Sequence, residues 1–206
     1  DYRVLVVDFD PQANATSALG IDPRSVEKSM YDVILNDVNL RDCIIRSQWD
    51  SLSVAPSNLD LAGAEIELVS AFNRERYLKT AIADIIDDYD YVFIDCPPSL
   101  SLLTVIALVG SNELVVPLQT EFFALEGITQ LINTIDRIKE NLNPSLKIRG
   151  ILLTMFDKRN KLSSQVDKEA RNYFKDKVYQ TVIQRNVRLS EAPSHGMPCV
   201  MYDKNC

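Results

Sequence analysis

Short β-branched runs alternate along the chain with stretches whose apolar residues recur every three or four positions. The runs predict strands at Val4–Asp8, Tyr91–Asp95, Leu114–Leu118, Ile148–Thr154 and Val178–Ile183, with a weaker one near Ser53–Ala55. Several are continuously apolar rather than alternating, as parallel strands covered on both faces require. Helical spacing over Leu59–Phe72 turns Leu61, Ala64, Leu68, Ala71 and Phe72 inward. Over Glu75–Ile86 it groups Leu78, Ile82, Ile85 and Ile86, and over Leu125–Leu142 it groups Leu125, Ile128, Leu131, Ile132, Ile135 and Ile138. A further helix is expected after a Ser163 or Ser164 cap, burying Val166, Ala170, Tyr173 and Phe174 and leaving Lys168, Arg171 and Lys175 outward. Strands alternating with helices predict a doubly wound α/β fold, a mostly parallel sheet with helices on both faces. No internal repeat, low-complexity tract or linker interrupts residues 1–206, so one domain is expected.

Composition adds little to this picture until charge is mapped along the chain. The 206 residues are 46% hydrophobic and 25% charged, the balance of an ordinary globular protein. No apolar stretch approaches the roughly 18 residues that span a bilayer, and no signal-peptide pattern opens the sequence. Cys43, Cys96, Cys199 and Cys206 form no C-x-x-C pair and no metal-ligand spacing, so reduced thiols are expected. The net charge is −7, but residues 1–146 carry 10 Lys/Arg against 23 Asp/Glu while residues 147–188 carry 11 against 4. Such asymmetry fits one basic face on an acidic body, able to hold a polyanion, or simply a solvated surface helix.

The chemistry is concentrated where strands end. VLVVD finishes at Asp8, with Asp10 two residues on, and YVFID finishes at Asp95. Ligands of open α/β sheets bind at the carboxyl ends of strands. Asp8, Asp10 and Asp95 are expected to converge there, and a hard cation such as Mg²⁺ is the usual neutraliser of grouped carboxylates. A hydrophobic strand ending in Asp is also the Walker B arrangement. A receiver domain gathers carboxylates similarly, but its acceptor aspartate lies nearer the first acidic pair than Asp95 does.

Five longer blocks carry a more specific signal: DFDPQANATSALGI, FIDCPPSLSLLTVIAL, VVPLQTEFFALEGITQL, ILLTMFDKRNKLSSQV and TVIQRNVRLSEAPSHGMP. Together they resemble the ParA/Soj family of chromosome- and plasmid-partition ATPases, deviant-Walker P-loop NTPases of the SIMIBI type related to MinD. The resemblance runs in order over nearly the whole chain.

That resemblance implies an ATP/ADP site with Mg²⁺. Asp8 would organise the metal through water, Asp10 would position the attacking water, and Asp95 would be the Walker B aspartate. Pro97 and Pro98 would stiffen a γ-phosphate-sensing loop. Asn14 and Thr16 either reach the site or cap the next helix, with capping expected for Thr16. Thr154, Met155, Gln184 and Arg185 would line the adenine pocket, although relatives commonly carry proline at the position of Gln184. Ala13 stands where glycine is common, a change of consequence only if the backbone there needs a positive φ. Lys158, Arg159, Lys161, Lys168, Arg171, Lys175, Lys177 and Arg188 would contact DNA phosphates without reading sequence. A homodimer when ATP-bound, a ParB-like partner protein that stimulates hydrolysis, a cytoplasmic, nucleoid-associated location and no membrane attachment are also implied. A MinD-like membrane-cycling ATPase and a non-enzymatic regulator retaining the fold are the alternatives.

Other conspicuous residues suggest packing. His195 sits in a Pro/Ser/Gly loop without a nucleophile pattern, Trp49 and the Phe122-Phe123 pair look like packing residues, and Cys96 like a small buried hydrophobe. No G-x-x-x-x-G-K-[ST] occurs in the sequence. The family's phosphate loop precedes the RVLVVD strand, and relatives continue into a final helix. The chain is therefore expected to be truncated at both ends, with negligible ATPase activity and marginal stability by itself.

Overall fold

The computed structural model describes residues 2–121 and 124–204, with no side chains described at 122–126. The chain forms two compact units, one comprising Asp1–Gly110 and Arg188–Cys206, the other Ser111–Val187. Both are layered α/β structures built on largely parallel sheets.

The first unit carries strands β1 (Val4–Asp8), β2 (Ile45–Arg46), β3 (Leu52–Ala55) and β4 (Tyr91–Asp95) in the order β2-β3-β1-β4. β1 pairs in parallel with both β3 and β4, whereas β2 runs antiparallel to β3, making this sheet mixed. Its helices are α1 (Asn14–Ala18), α2 (Met30–Leu35), α3 (Leu40–Cys43), α4 (Leu61–Glu67), α5 (Tyr77–Ala83) and α6 (Leu102–Gly110). Leu5, Val7 and Phe9 from the first strand and its exit pack with Leu61, Ala64 and Leu68, with Leu78, Ile82 and Ile85, and with Leu103 and Ile106. This is the core anticipated from helical spacing, with two corrections. Phe72 and Ile86 are exposed, because the helical runs end before them: Ala71 takes an extended ψ of 135° and Ile86 falls in a short 3₁₀ turn.

The second unit holds β5 (Glu113–Gln119), β6 (Lys147–Phe156) and β7 (Val178–Gln184), all parallel, with α7 (Ala124–Asn141) and α8 (Lys161–Phe174). Val116, Leu118, Ile128, Ile151, Leu153, Ala170 and Phe174 form its core. Asn160, not Ser163 or Ser164, caps α8 by accepting a hydrogen bond from the Leu162 N–H at 2.9 Å. Ser163 is instead buried inside the helix, bonded to Thr120. Tyr173, expected inward, is exposed, and Lys168 and Lys175 do face solvent. Phe122 and Phe123 lie outside the described residues.

After Val187 the chain contributes α9 (Val187–Glu191) and α10 (Cys199–Tyr202). Within the first unit, the segment before α10 approaches the end of α1 so closely that a Cβ on Gly196 would lie 2.8 Å from Gly20 Cα. Both glycines have positive φ, 63° and 82°, so neither position suits an L side chain. His195 stacks on Tyr202 with ring centroids 4.9 Å apart, a packing role.

Candidate active site

Parallel pairing sets Asp8 beside Asp95, because β1 and β4 run in register from Val4 and Tyr91 to these two residues. Register neighbours on adjacent parallel strands project to the same side of the sheet. The Phe9 N–H donates to the Asp95 carbonyl at 2.7 Å, holding the two strand ends together.

Asp8 is completely buried. Its Oδ2 accepts two hydrogen bonds from Thr16, from the N–H at 2.7 Å and from the hydroxyl at 2.6 Å, and its Oδ1 accepts one from the Asp10 N–H at 3.3 Å. The Thr16 hydroxyl in turn accepts from the Ser57 N–H at 3.0 Å, so the loop after β3 is tied to the same knot. Burial pushes the Asp8 carboxyl above its ordinary range, more strongly than these donors pull it down. Thr16 therefore anchors the carboxylate rather than capping α1.

The loop from Asp8 to α1 is a tight structure in its own right. Asp10 turns its Oδ1 back onto the Gln12 N–H at 3.0 Å, and its carbonyl accepts the Ala13 N–H at 2.9 Å. Ala13 has φ 53°, a left-handed conformation that explains why glycine suits this position. Asn14 opens α1 at the surface, its amide 3.5 Å from Gln12 Oε1.

Asp95 is open to the surface at the end of β4. Partial desolvation of the strand end, then Asp8, then Asp10 raise its pKa. Beyond it, the Thr104 hydroxyl ties down the loop by donating to the carbonyls of Ser99 at 2.5 Å and Pro97 at 3.3 Å. Cys96 is pushed up to about 11, chiefly by burial and then by Asp95 and Asp10, so it is an unreactive thiol. The Ser101 hydroxyl, in the same loop, is the one buried side-chain polar atom without a hydrogen-bond partner among the described residues.

The three aspartates do not close into a ligand set. Among the described residues, no group of three or more His, Cys, Asp or Glu side chains is placed to hold a metal ion directly. Thr16 and the Asp10 N–H occupy Asp8, and Asp10 folds back on Gln12. No ion pair among the described residues involves Asp8, Asp10 or Asp95, so their charge is unbalanced by protein cations. One open carboxylate with two further carboxylates nearby suits a hydrated divalent cation, held through water rather than caged.

In the second unit, β6 and β7 bring Thr154, Met155, Gln184 and Arg185 to neighbouring strand ends. The register slips between Leu153 and Phe156, with Leu153 opposite Val182 and Phe156 opposite Gln184. Met155 sits in that bulge with φ 54°, and the Arg185 N–H closes it on the Phe156 carbonyl at 3.0 Å. Thr120 locks the bend by donating from its hydroxyl to the Met155 carbonyl at 3.2 Å.

The basic residues separate into two kinds. Arg159 pairs with Asp157, Arg171 with Asp167, and Arg188 with Glu191 and Asp203. Lys158, Lys161, Lys168, Lys175 and Lys177 are exposed, and none of them takes part in an ion pair among the described residues. Arg188 belongs to the first unit and the others to the second.

Comparison with known proteins decides the family. A family profile described as an AAA domain matches residues 1–148. The sporulation initiation inhibitor protein Soj of Bacillus subtilis is 53% identical over 201 residues, covering 98% of this chain and 79% of Soj. The chain belongs to the ParA/Soj family. The chromosome partitioning protein ParA of Myxococcus xanthus is 48% identical over 203 residues, 98% of this chain and 72% of that protein. Among solved structures, cobyrinic acid a,c-diamide synthase from Mycobacterium smegmatis with bound ATP analog and magnesium superposes with a TM-score of 0.84 at 37% identity. That match covers 95% of this chain and 79% of the synthase. ParA/Soj proteins are P-loop partition ATPases, and an ATP–Mg²⁺ site agrees with the electronegative strand ends. Among the described residues, no helix is long and apolar enough to cross a membrane.

Ser57 escaped the sequence reading, whereas Thr16 was expected either to reach the site or, by preference, to cap the next helix. Thr16 was in view eight positions after Asp8. Ser57 carries no local signal, because its role depends on where β3 lies.

Proposed function

We propose that this ParA/Soj protein is a nucleotide-switched partition ATPase. ATP binding drives formation of a homodimer that holds DNA non-specifically at the nucleoid, and a ParB-like protein stimulates hydrolysis and release. The observation that carries the reading is the in-register placement of buried, triply hydrogen-bonded Asp8 beside open Asp95.

The roles follow from the chemistry of each side chain. Asp95 would hold a hydrated Mg²⁺ through water. Asp8, rigidly anchored, contributes its charge and fixes the loop that carries Asp10. Asp10 uses Oδ1 to hold the turn, leaving Oδ2 to orient the attacking water. Phosphoryl transfer needs an oriented nucleophile more than a strong base, and a carboxylate suffices for that. Mg²⁺, when bound, offsets phosphate charge. Asn14 and the loop at Pro97 border the phosphate end. Phosphate charge also requires backbone N–H groups and a lysine of a P-loop, a motif that these 206 residues do not contain. The 206-residue chain alone accordingly turns over negligible ATP.

The test is single-turnover hydrolysis of ATP with Mg²⁺ by a form of the protein that carries these residues together with a P-loop. Asp10→Ala should abolish hydrolysis while preserving nucleotide binding. Hydrolysis at the wild-type rate in that variant would remove Asp10 from the mechanism.

A further inference from the structure

The loop that leaves the open carboxylate of Asp95 hangs on a hydroxyl. It spans residues 96–101, with Pro98, Ser99 and Leu100 exposed. Pro97 and Pro98 lack an N–H and fix their own φ, so the loop is stiff but has few donors of its own. The Thr104 hydroxyl, in the first turn of α6, reaches back to two of its carbonyls, Ser99 at 2.5 Å and Pro97 at 3.3 Å. Among the described residues, no other residue's side chain hydrogen-bonds to positions 96–101.

The anchor itself is fixed. Thr104 is buried, and its neighbours Leu103, Ile106 and Ala107 set α6 into the core of the first unit. The usual clamp at a helix start is not used here. Ser101 stands where a cap hydroxyl accepts a helix N–H, yet its hydroxyl is buried without a partner among the described residues. The Leu103 N–H goes instead to Glu65 Oε1 at 3.4 Å. Glu65 therefore holds the helix start, and Thr104 holds the loop.

Asp95 lies between two fixed points. Its carbonyl is held on the exit of β1 by the Phe9 N–H, and four residues on, the Ser99 carbonyl is held on α6 by Thr104. With two prolines in between, the path from Asp95 to Ser99 has little freedom, so fixing Ser99 fixes how the strand end presents its carboxylate. We propose that Thr104 is a positioning residue for ATP hydrolysis, holding the loop after Asp95 at the phosphate end through the Ser99 and Pro97 carbonyls. This rests on the partition-ATPase reading above and adds the side chain that sets the loop. Removing the hydroxyl leaves the carbonyl of exposed Ser99 to water, so the fold survives while the loop loses its set point.

The experiment is steady-state ATP hydrolysis with Mg²⁺ by a form of the protein that carries these residues together with a P-loop. Rates are expressed per nucleotide-binding site, so that only folded protein counts. Thr104→Val, nearly isosteric, should lower kcat by roughly tenfold, the worth of one hydrogen bond that orders the transition state, with KM unchanged. Thr104→Ser, which keeps the hydroxyl, should restore most of kcat. Glu65→Ala, which frees the helix N–H but not the loop, should lower the urea midpoint and leave kcat unchanged. Wild-type kcat in Thr104→Val, or no recovery in Thr104→Ser, would overturn the positioning role while leaving the ATPase reading standing. So would an equal fall of kcat in Glu65→Ala, or loss of nucleotide binding in Thr104→Val, since either makes the contact a structural one. A wild type that binds nucleotide without hydrolysing it would overturn both.

Discussion

Thr16 donates two hydrogen bonds to a single oxygen of Asp8, from its backbone N–H at 2.7 Å and its hydroxyl at 2.6 Å. Both residues are fully buried, and the same hydroxyl accepts the Ser57 N–H. One threonine thus joins the end of β1, the start of α1 and the loop after β3. Its shape is almost that of valine, so substitution isolates the hydroxyl. Thr16→Val should destabilise the protein by about 2–3 kcal/mol, because a charged acceptor loses a donor and a buried N–H loses its acceptor. Thr16→Ser should recover most of that. Urea midpoints compare the three, and equal midpoints for Val and wild type would refute the anchoring role.

Two glycines predict opposite responses to the same substitution. Gly196→Ala places a Cβ 2.8 Å from the Gly20 backbone at a φ of 63°, so main chain must move. A loss of at least about 1–2 kcal/mol is expected from the backbone conformation alone. Gly127, in α7, has nothing within 4 Å of an added Cβ among the described residues. Gly127→Ala should stabilise by about 0.5–1 kcal/mol, the helix-propensity difference. Thermal unfolding of both variants gives the signs directly.

Asp32 supplies a pH-dependent stabilisation. It closes a capping box at the start of α2, accepting from the Ser29 N–H at 2.8 Å, the Ser29 hydroxyl at 3.2 Å and the Asn36 amide at 3.0 Å. Burial acts to raise its pKa, but the donors outweigh it and hold the group below 3.8. A folded-state pKa below the unfolded value means that the unfolded chain takes up the proton first as pH falls. The stabilisation is complete above the unfolded value and disappears as pH drops through the lowered one. Asp32→Asn should therefore lower the urea midpoint at pH 7, with the gap to wild type closing below pH 3.8. A constant gap across pH would disprove the charge-dependent part.

If the exposed lysines hold DNA phosphates, each releases counterions on binding. Lys168→Gln and Lys175→Gln should each reduce the slope of log affinity against log salt by about 1. Arg171 is already engaged with Asp167 at 2.7 Å, so Arg171→Gln should change the slope less. Fluorescence anisotropy on mixed-sequence duplex at several salt concentrations would show this, and unchanged slopes for both lysine variants would remove them from the interface.

Much of the architecture was legible along the chain because apolar periodicity is local. The strands ending at Asp8 and Asp95 are those expected from VLVVD and YVFID, and Leu61, Ala64 and Leu68 face inward as their spacing requires. Helix limits were less legible. Phe72 continues the apolar pattern, yet the backbone turns extended at Ala71 and leaves it outside. Ser163 looked like a cap, but the neighbouring Asn160 reached the free N–H first, and Ser163 was carried into the helix.

The amino-acid order by itself determined which strands end in carboxylates, that helices separate them, and the motif blocks that resemble ParA/Soj proteins. Tertiary structure decided what each carboxylate can do. Asp8 and Asp95 are equivalent as strand-end aspartates, but strand order buries one under Thr16 and leaves the other open. Ala13 and Met155 carry positive φ only because the chain must turn at those points. These differences arise from contacts between residues far apart in the chain, such as Ser57 with Thr16, which no local period encodes.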